Sequence, residues 1–461
     1  MAQDASEEEY IEDQVVLVGM RISPIIVSAS RGEWVRLDDY AVSLSIITDD
    51  DMDARQVRDV ADVLRDVPGV AVSSVAGQTQ LRLRGSEANH VLVLVDGIEV
   101  SDPFAGEFDI GTLQAEIGSR IEVLRGPQSA LYGSDAIGGM IAYDSRCIDG
   151  FSTRLEGGTN DTINAAARLG TSGEGWQASL SGVVVSTDGE PNARGGSRDI
   201  GRDSYTLSGK GSAEVAPDFE LRAVGRFVRT EGDFNDSDFD PTRPTFGFVI
   251  DSPDTRFTND AIYALVGARL ATLNGSWTHD LSGQIADIAR DTFGPFGRTS
   301  GSDGDRLKAS YVSAAKLEEL HYLTFAADWE RERSRNDDPF DFAFTGRRTI
   351  ENVGLSAEYR YSGPGVDLSA AIRRDINDRF ADATTFRLGA GYDVGEAPVC
   401  AHSTAPASRT PAFSSCSAFS TGVLSAMKTF RRRSPKAGRW ESTSRWPAAR
   451  SSFPPPISTA A

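Results

Sequence analysis

Val353-Gly354-Leu355-Ser356-Ala357-Glu358-Tyr359-Arg360 places apolar side chains at every odd position and small, polar or charged ones at every even position. A strand turns successive side chains to opposite faces, so this stretch has one face for oil and one for water. Phe386-Arg387-Leu388-Gly389-Ala390-Gly391-Tyr392-Asp393 repeats the pattern, and so do Leu323, Phe325, Ala327 and Trp329 against Thr324, Asp328 and Glu330. About a dozen such segments fill residues 151–394. A soluble β-sandwich would alternate in the same way, so the connections between segments have to discriminate. Thr187–Asp203, Thr230–Arg256, Asp291–Asp305 and Ser334–Arg347 are long, and the intervening Ala216–Asp218, Ala271–Gly275, Lys316–Glu319 and Ser362–Gly365 are short. Strict long/short parity is what an up-and-down antiparallel transmembrane β-barrel needs, with tight turns on one side of a membrane and elaborated loops on the other. A Greek-key sandwich has no reason to keep it.

Composition agrees with that class. Nowhere does the chain approach the roughly 18 uninterrupted apolar residues of a spanning helix. With 67 Asp and Glu against 47 Lys and Arg, the formal charge is -20, which argues against a nucleic-acid partner. The 3 cysteines form no zinc-type spacing and no disulfide framework. The chain opens Met1-Ala2-Gln3-Asp4-Ala5 and runs into Glu7-Glu8-Glu9, without the basic start and apolar run of a secretory signal. It reads as a mature exported N-terminus with Met added or as a displaced start; a cytosolic protein is the bland alternative.

Upstream of the alternating region lie two further parts. Residues 1–35 read as a flexible N-terminal arm carrying two short apolar runs, one at Val15, Val16, Leu17 and Val18 and one at Ile25, Ile26 and Val27. Residues 36–146 read as a compact α/β domain. Val42–Thr48 predicts a strand, Asp49–Asp53 an acidic helix entry, and Val57–Val67 a helix stopped by Pro68-Gly69. Further strands are expected at Val70–Val75, Leu81–Arg84, Val91–Val95 and Ile121–Leu124, with a tight turn at Asp96-Gly97. Residues 397–461 differ from everything before them. Basic residues dominate, Glu441 is the lone acid, Asp is absent, and the alternation stops. A basic disordered tail is one reading. An abrupt change of charge sign and periodicity at one point favours the other, a reading-frame shift near residue 395 that leaves a non-native tail.

Three linked blocks carry a family likeness: Gln78-Thr79-Gln80-Leu81-Arg82-Leu83-Arg84-Gly85, then His90-Val91-Leu92-Val93-Leu94-Val95-Asp96-Gly97, then Arg120-Ile121-Glu122-Val123-Leu124-Arg125-Gly126-Pro127-Gln128-Ser129-Ala130-Leu131-Tyr132-Gly133-Ser134-Asp135-Ala136-Ile137-Gly138-Gly139. With Leu64–Val70 before them, they resemble in order the plug motifs of TonB-dependent outer-membrane receptors, nearest to the cobalamin and siderophore receptor group. Met140-Ile141-Ala142-Tyr143 departs from the family, which usually ends the plug on an Asn-containing apolar strand. The resemblance implies an outer-membrane transporter of a scarce large nutrient, cobalamin or a ferric siderophore, with an α/β plug inside a barrel of about 22 strands. The in-frame segments supply only part of that barrel, so a non-functional product of a disrupted receptor gene is the rival reading. Partners implied are the TonB periplasmic domain, docking on one of the two N-terminal runs, and outer-membrane lipid. Arg82, Arg84, Glu122 and Arg125 suit buried ion pairs that hold the plug to the wall without a greasy interface. Gly85, Gly97, Gly126, Gly133, Gly138 and Gly139 permit tight turns and close approach. The plug apices near Ser86–His90 and Ile98–Phe108 imply ligand contact, with Asn89, His90 and Asp102 as polar candidates.

No catalytic constellation accompanies these motifs. His90, His279, His321 and His402 are scattered, and Gly126-Pro127…Gly133-Ser134 lacks the Lys and spacing of a phosphate loop. A β-scaffold surface enzyme or binding protein therefore remains only as a class-level alternative. No cofactor is required by this reading. Calcium is a candidate in the run Asp233-Phe234-Asn235-Asp236-Ser237-Asp238-Phe239-Asp240, where alternate spacing would let Asp236, Asp238 and Asp240 converge with Asp233 on one ion, and Asp188, Asp199 and Asp203 of the preceding loop could add ligands.

Overall fold

The computed structural model describes residues 43–392 apart from residues 76 and 338–345, together with the backbone of five short strands outside that span. The first unit built from the chain is an α/β domain. It starts with β1 (Ser43–Ile47), and Thr48 then caps α1 (Asp49–Arg55) through a reciprocal box with Asp51. The continuous helix expected over Val57–Val67 is absent. Gln56 takes a left-handed conformation that ends α1, and the Asp59 side chain accepts from Ala61 N to start α2 (Val60–Arg65). Two caps within four residues outweigh the apolar spacing. A ladder of β2 (Val70–Val75) and β3 (Gln78–Leu83) follows. The strands β4 (Val91–Val95) and β5 (Ile98–Glu99) close on the expected two-residue turn, with Asp96 and Gly97 both at positive φ. After β6 (Ser119–Arg125) come the single turn α3 (Ser129–Tyr132) and β7 (Gly139–Ser145).

The sheet order is β1-β6-β7-β4-β5, with β7 and β4 parallel and the other pairs antiparallel. Leu64, Leu83, Ile121, Val123 and Ile141 are fully buried at its centre. Gly139 is there because a Cβ would lie 2.2 Å from Leu124 O at a φ of +145. The Tyr143 hydroxyl accepts from Glu116 N at 2.9 Å and donates to Gln114 O at 3.2 Å.

From residue 150 every strand pairs antiparallel with the next: β8 (Gly150–Gly157), β9 (Ile163–Gly173), β10 (Trp176–Thr187), β11 (Arg202–Ala216), β12 (Phe219–Asp233), β13 (Arg256–Thr272), β14 (Trp277–Gly294), β15 (Gly297–Glu318), β16 (His321–Asn336), β17 (Arg348–Gly363), β18 (Val366–Asn377) and β19 (Ala383–Tyr392). A five-residue backbone strand, β20 (Cys400–Thr404), pairs with β19. It falls inside the segment 397–461 read as lacking strands; an exposed sheet edge offers unpaired backbone groups to whatever chain follows it. The expected long loop Asp291–Asp305 is also corrected. β14 and β15 pair as far as Gly294↔Gly297, leaving only Pro295 and Phe296 at the tip. Ser, Thr, Gly and Asp there give no apolar face to read, yet backbone pairing in water needs none.

This sheet is inside out. Val266 and Leu281 are 65% and 58% exposed on its outer face, whereas Arg226 and Arg306 are each 4% exposed on its inner face. On β13 the outward run Ile262, Ala264, Val266, Ala268 and Leu270 covers about 27 Å at strand rise, close to the apolar band of an outer-membrane barrel. Replacing Tyr143 by Phe should strand the buried Glu116 N–H and cost about 1–3 kcal/mol of α/β-domain stability. Urea unfolding followed by far-UV circular dichroism and by protection of residues 114–145 checks this, and an unchanged midpoint would refute it.

Candidate functional site

The α/β domain sits against the inner face of the sheet, and charged pairs cross the seam between them. Arg226 on β12 forms a buried ion pair with Glu116, which also accepts from Ser208 Oγ of β11. Burial pushes the Glu116 carboxyl up, and Arg226 with Ser208 more than offsets it, so it lies below the usual range. Lys210 Nζ donates to both Asp96 and Asp144 at 3.0 Å. Burial raises the Asp96 carboxyl despite Lys210, while for Asp144 the burial effect is outweighed by the same ammonium. Arg202 pairs at 2.6 Å with Asp59, the cap of α2, and Arg290 at 2.9 Å with Asp109.

Further round the wall, Lys308 reaches Glu99 at 2.6 Å, and Arg306 lies 3.4 Å from Glu99 and donates to Ser101 O at 2.8 Å. Arg373 donates to Leu131 O at 3.3 Å, and Arg387 to Gln128 Oε1 at 2.7 Å. At β8 the polarity reverses, with Arg58 of the inner domain bidentate on Glu156. The seam is not free of apolar contact, contrary to the sequence reading. Val228, Tyr263, Leu265 and Ile288 of β12–β14 are buried in one cluster with Ile98, Val100 and Ile110.

Of the residues expected to reach the wall, Arg82, Arg125 and Glu122 have partners within their own domain. Arg82 donates to Ser73 and Gln80, Arg125 to Pro68 O and Ser45 Oγ, and Glu122 pairs with Arg120 at 2.7 Å. Arg84 is exposed beside Gly126 and Gly69, in a left-handed pair with Gly85. Strand alternation does not say which face of a small sheet meets a neighbour, and these side chains serve the turns next to them. Of the remaining motif residues, Asp96 accepts from Ser145 as well as Lys210. Tyr132 packs beside Leu131 in α3, Gly133 lies against Arg373, and Gly138 N–H donates to His90 O at 2.8 Å. Eight inward wall cations, Arg202 to Arg387, were missed by the sequence reading, although their in-phase positions on alternating strands could have shown them.

Asn89 lies in the single turn Ala88–His90, its Oδ1 buried without a hydrogen-bond partner, and His90 Nδ1 accepts from Glu87 N. Asp102 does not face an open lumen. Its carboxylate accepts from Phe104 N, burial raises it, and its loop packs against Gly304 of β15. In the arm, Val15–Leu17 pairs with Met20–Ile22 and Ile26–Val27 with Val35–Arg36 as short backbone ladders; Val18 and Ile25 lie outside the described residues.

The acidic run does not gather into a cation cage. Asp236 and Asp240 accept from the neighbouring Ser237 and Thr242, and Asp238 from Asp240 N and Thr245. Asp203 accepts from Ser186, and Asp188 and Asp199 do not join the run. Among the described residues, no group of three or more acidic, His or Cys side chains could hold a metal. A guanidinium gathers the oxygens instead. Arg198 donates to Asp233 Oδ1, Phe234 O, Asn235 Oδ1, Thr255 Oγ1 and Thr255 O at 2.5–3.1 Å, tying the loops after β10 and β12 together.

Two measurements follow from this geometry. Burial raises the Glu99 carboxyl, but Arg306 and Lys308 outweigh it and hold the group at about 2, below its ordinary 4.5. A depressed folded-state value gives stability that is complete above about 4.5 and lost as pH falls through about 2. Pepsin cleavage near residues 96–108 should therefore rise over that window in the wild type and show no such step in Glu99→Gln; identical profiles would refute it. Protease protection of residues 230–245 should be indifferent to calcium chelators and be lost in Arg198→Ala. Calcium-dependent protection in the wild type would reverse this.

Residues 36–140 match the family described as TonB-dependent Receptor Plug Domain. The vitamin B12 transporter BtuB of Vibrio vulnificus is 41% identical over 120 residues, which are 25% of this chain and 19% of that protein. BtuB of Photobacterium profundum is 26% identical over 393 residues, 80% of this chain and 59% of its own. Among solved structures, the siderophore receptor PirA from Acinetobacter baumannii superposes with a TM-score of 0.63 at 17% identity, covering 80% of this chain and 61% of that one. A variant of the ferric enterobactin receptor PfeA from Pseudomonas aeruginosa, in complex with enterobactin, gives 0.64 at 20% identity, covering 80% and 63%. The chain thus spans about three fifths of the length of the relatives it matches along most of its own. Residues 36–140 therefore carry the plug of a TonB-dependent receptor, and the partial wall that follows has the fold of the siderophore receptors on which it superposes.

Proposed function

We propose that the chain forms the plug and the first part of the barrel of an outer-membrane transporter that takes up a scarce large nutrient, cobalamin or a ferric siderophore. The observation that carries this reading is the inside-out sheet with the plug seated on its charged inner face. A soluble binding protein has no use for an apolar outer surface, and an open pore has no use for a plug held by buried ion pairs. The outer membrane has no nucleotide triphosphate, so the plug must be moved by an inner-membrane partner. A short strand added to the edge of the TonB periplasmic domain would transmit that work. Val15–Leu17 is the favoured segment, being further from the plug than Ile26–Val27.

Cells lacking their own receptors and expressing the protein should accumulate labelled cobalamin or a labelled ferric chelate only when TonB is present. Val16→Pro removes a backbone donor and should abolish both uptake and binding to the TonB domain. Unchanged TonB binding would refute the segment. Absence of uptake of either nutrient by protein present in the outer membrane would favour the disrupted, non-transporting receptor.

A further inference from the structure

The seam between plug and wall has two unlike sides. On β11, β12 and β14, Arg202, Lys210, Arg226 and Arg290 take plug carboxylates as ion-pair partners: Asp59, Asp96 with Asp144, Glu116 and Asp109. Among the described residues, none of these four has a wall carboxylate as an ion-pair partner. The apolar contact through Val228, Tyr263 and Ile288 lies on the same side. Taking the plug away here would leave buried cations without counter-charge and expose apolar surface, both unfavourable.

On β15, β18 and β19 the wall supplies its own acids. Arg306 and Lys308 stand directly across from Glu332 and Glu330 of β16 and pair with them. Arg373 is held by Asp328 and Asp375, and Arg387 by Glu358. The plug meets these cations with the carboxylates of Glu99 and Asp135 and with the neutral acceptors Ser101 O, Leu131 O and Gln128. When the plug leaves this side, every wall cation keeps a counter-charge. A narrow polar cavity already opens along it, lined by Ser101, Asp135, Arg306, Glu330, Glu332 and Asn377. Ser101 is 2% exposed and its Oγ has no hydrogen-bond partner; Asn377 Nδ2 and Arg306 Nε are likewise unmet. Buried polar atoms of this kind are satisfied by water or by a polar solute.

We infer that the solute passes along this side, between the plug loops at 99–107 and 133–135 and the inner face of β15–β18, while the plug stays tethered to β11–β14. Asp135, Glu330, Glu332, Arg306 and Asn377 line the cavity, and this mixed polar lining suits a solute rich in hydrogen-bonding groups. The inference rests on the transporter reading for its purpose. Its test measures plug seating alone, so a failure of uptake leaves it standing.

The full chain, with Cys147, Cys400 and Cys416 replaced by Ser, carries a single reporter, either Asn377→Cys on the opening side or Ser204→Cys on the tethered side. Labelling by a small methanethiosulfonate is followed without urea and in urea below the unfolding transition of the wall. Urea should raise the rate at Asn377→Cys about tenfold more than at Ser204→Cys, which is fully buried at the start. Adding Glu116→Gln should raise labelling at Ser204→Cys, whereas adding Glu99→Gln should not. If Ser204→Cys does not fold, Thr230→Cys on the same side replaces it. An equal rise at the two sides, or a larger one at the tethered side, would overturn the path.

Discussion

A wall with one face in oil and the other toward a polar lumen cannot hold its contents mainly by hydrophobic burial. Period-two geometry sends most apolar side chains outward, and apart from a patch at Val228, Tyr263, Leu265 and Ile288 the inward positions on β11–β19 are largely polar or charged. The joint between plug and wall is therefore built mainly from charge, with one apolar patch beside it. A buried ion pair often gains little over a well-packed apolar contact, but breaking one by removing a partner costs about 3–5 kcal/mol. Such a joint is specific, because each wall cation must find its own acid.

The plug's own fold serves this joint. Asp59 both caps α2 and receives Arg202. Asp96 sits in the β4–β5 turn, accepts from Ser145 and receives Lys210. Glu116 N–H is satisfied by Tyr143, leaving its carboxylate to Arg226 and Ser208. The carboxylates of Asp59 and Asp96 are thus oriented from within the plug as well as by the wall. That preorganisation lowers the entropic cost of the pair. The apolar patch at Ile98, Val100 and Ile110 adds area where β12–β14 can match it.

Much of this architecture was legible in the chain. Alternation at Val353–Arg360 and its repeats, together with loop parity, gave the antiparallel wall, and Asp96-Gly97 gave the hairpin. The plug motifs gave the inner domain. Elsewhere local signals were outweighed by neighbours. Gln56 and Asp59 split a helix whose apolar spacing ran through Val57–Val67. Gly, Ser and Thr between Asp291 and Asp305 hid a paired hairpin. The seam was the least legible part. Arg82 and Arg125 look like contact residues because they lie in recognisable motifs, yet they bind their own turns. Arg226 and Arg306 look like ordinary lumen polarity, yet they carry the contact. Which inward charge meets which plug acid depends on the stagger of strands far apart in sequence, and a linear pattern does not contain that. Likewise, Arg198 lies outside the acidic run it neutralises.

The plug sheet also has a consequence in time. Its β4–β7 pairing is parallel and joins Val91–Val95 to residues 139–143, and β1 finds its partner only at residues 121–125. Every wall strand, by contrast, pairs with its immediate successor. Distant pairings close slowly because a long loop must be ordered before any contact rewards it, whereas hairpins close locally. The inner domain is thus the slow-forming part of a chain whose outer hairpins form fast, although it is made first. A wall formed early would meet an unfinished plug, so topology bears on the order of assembly as charge bears on the final contacts.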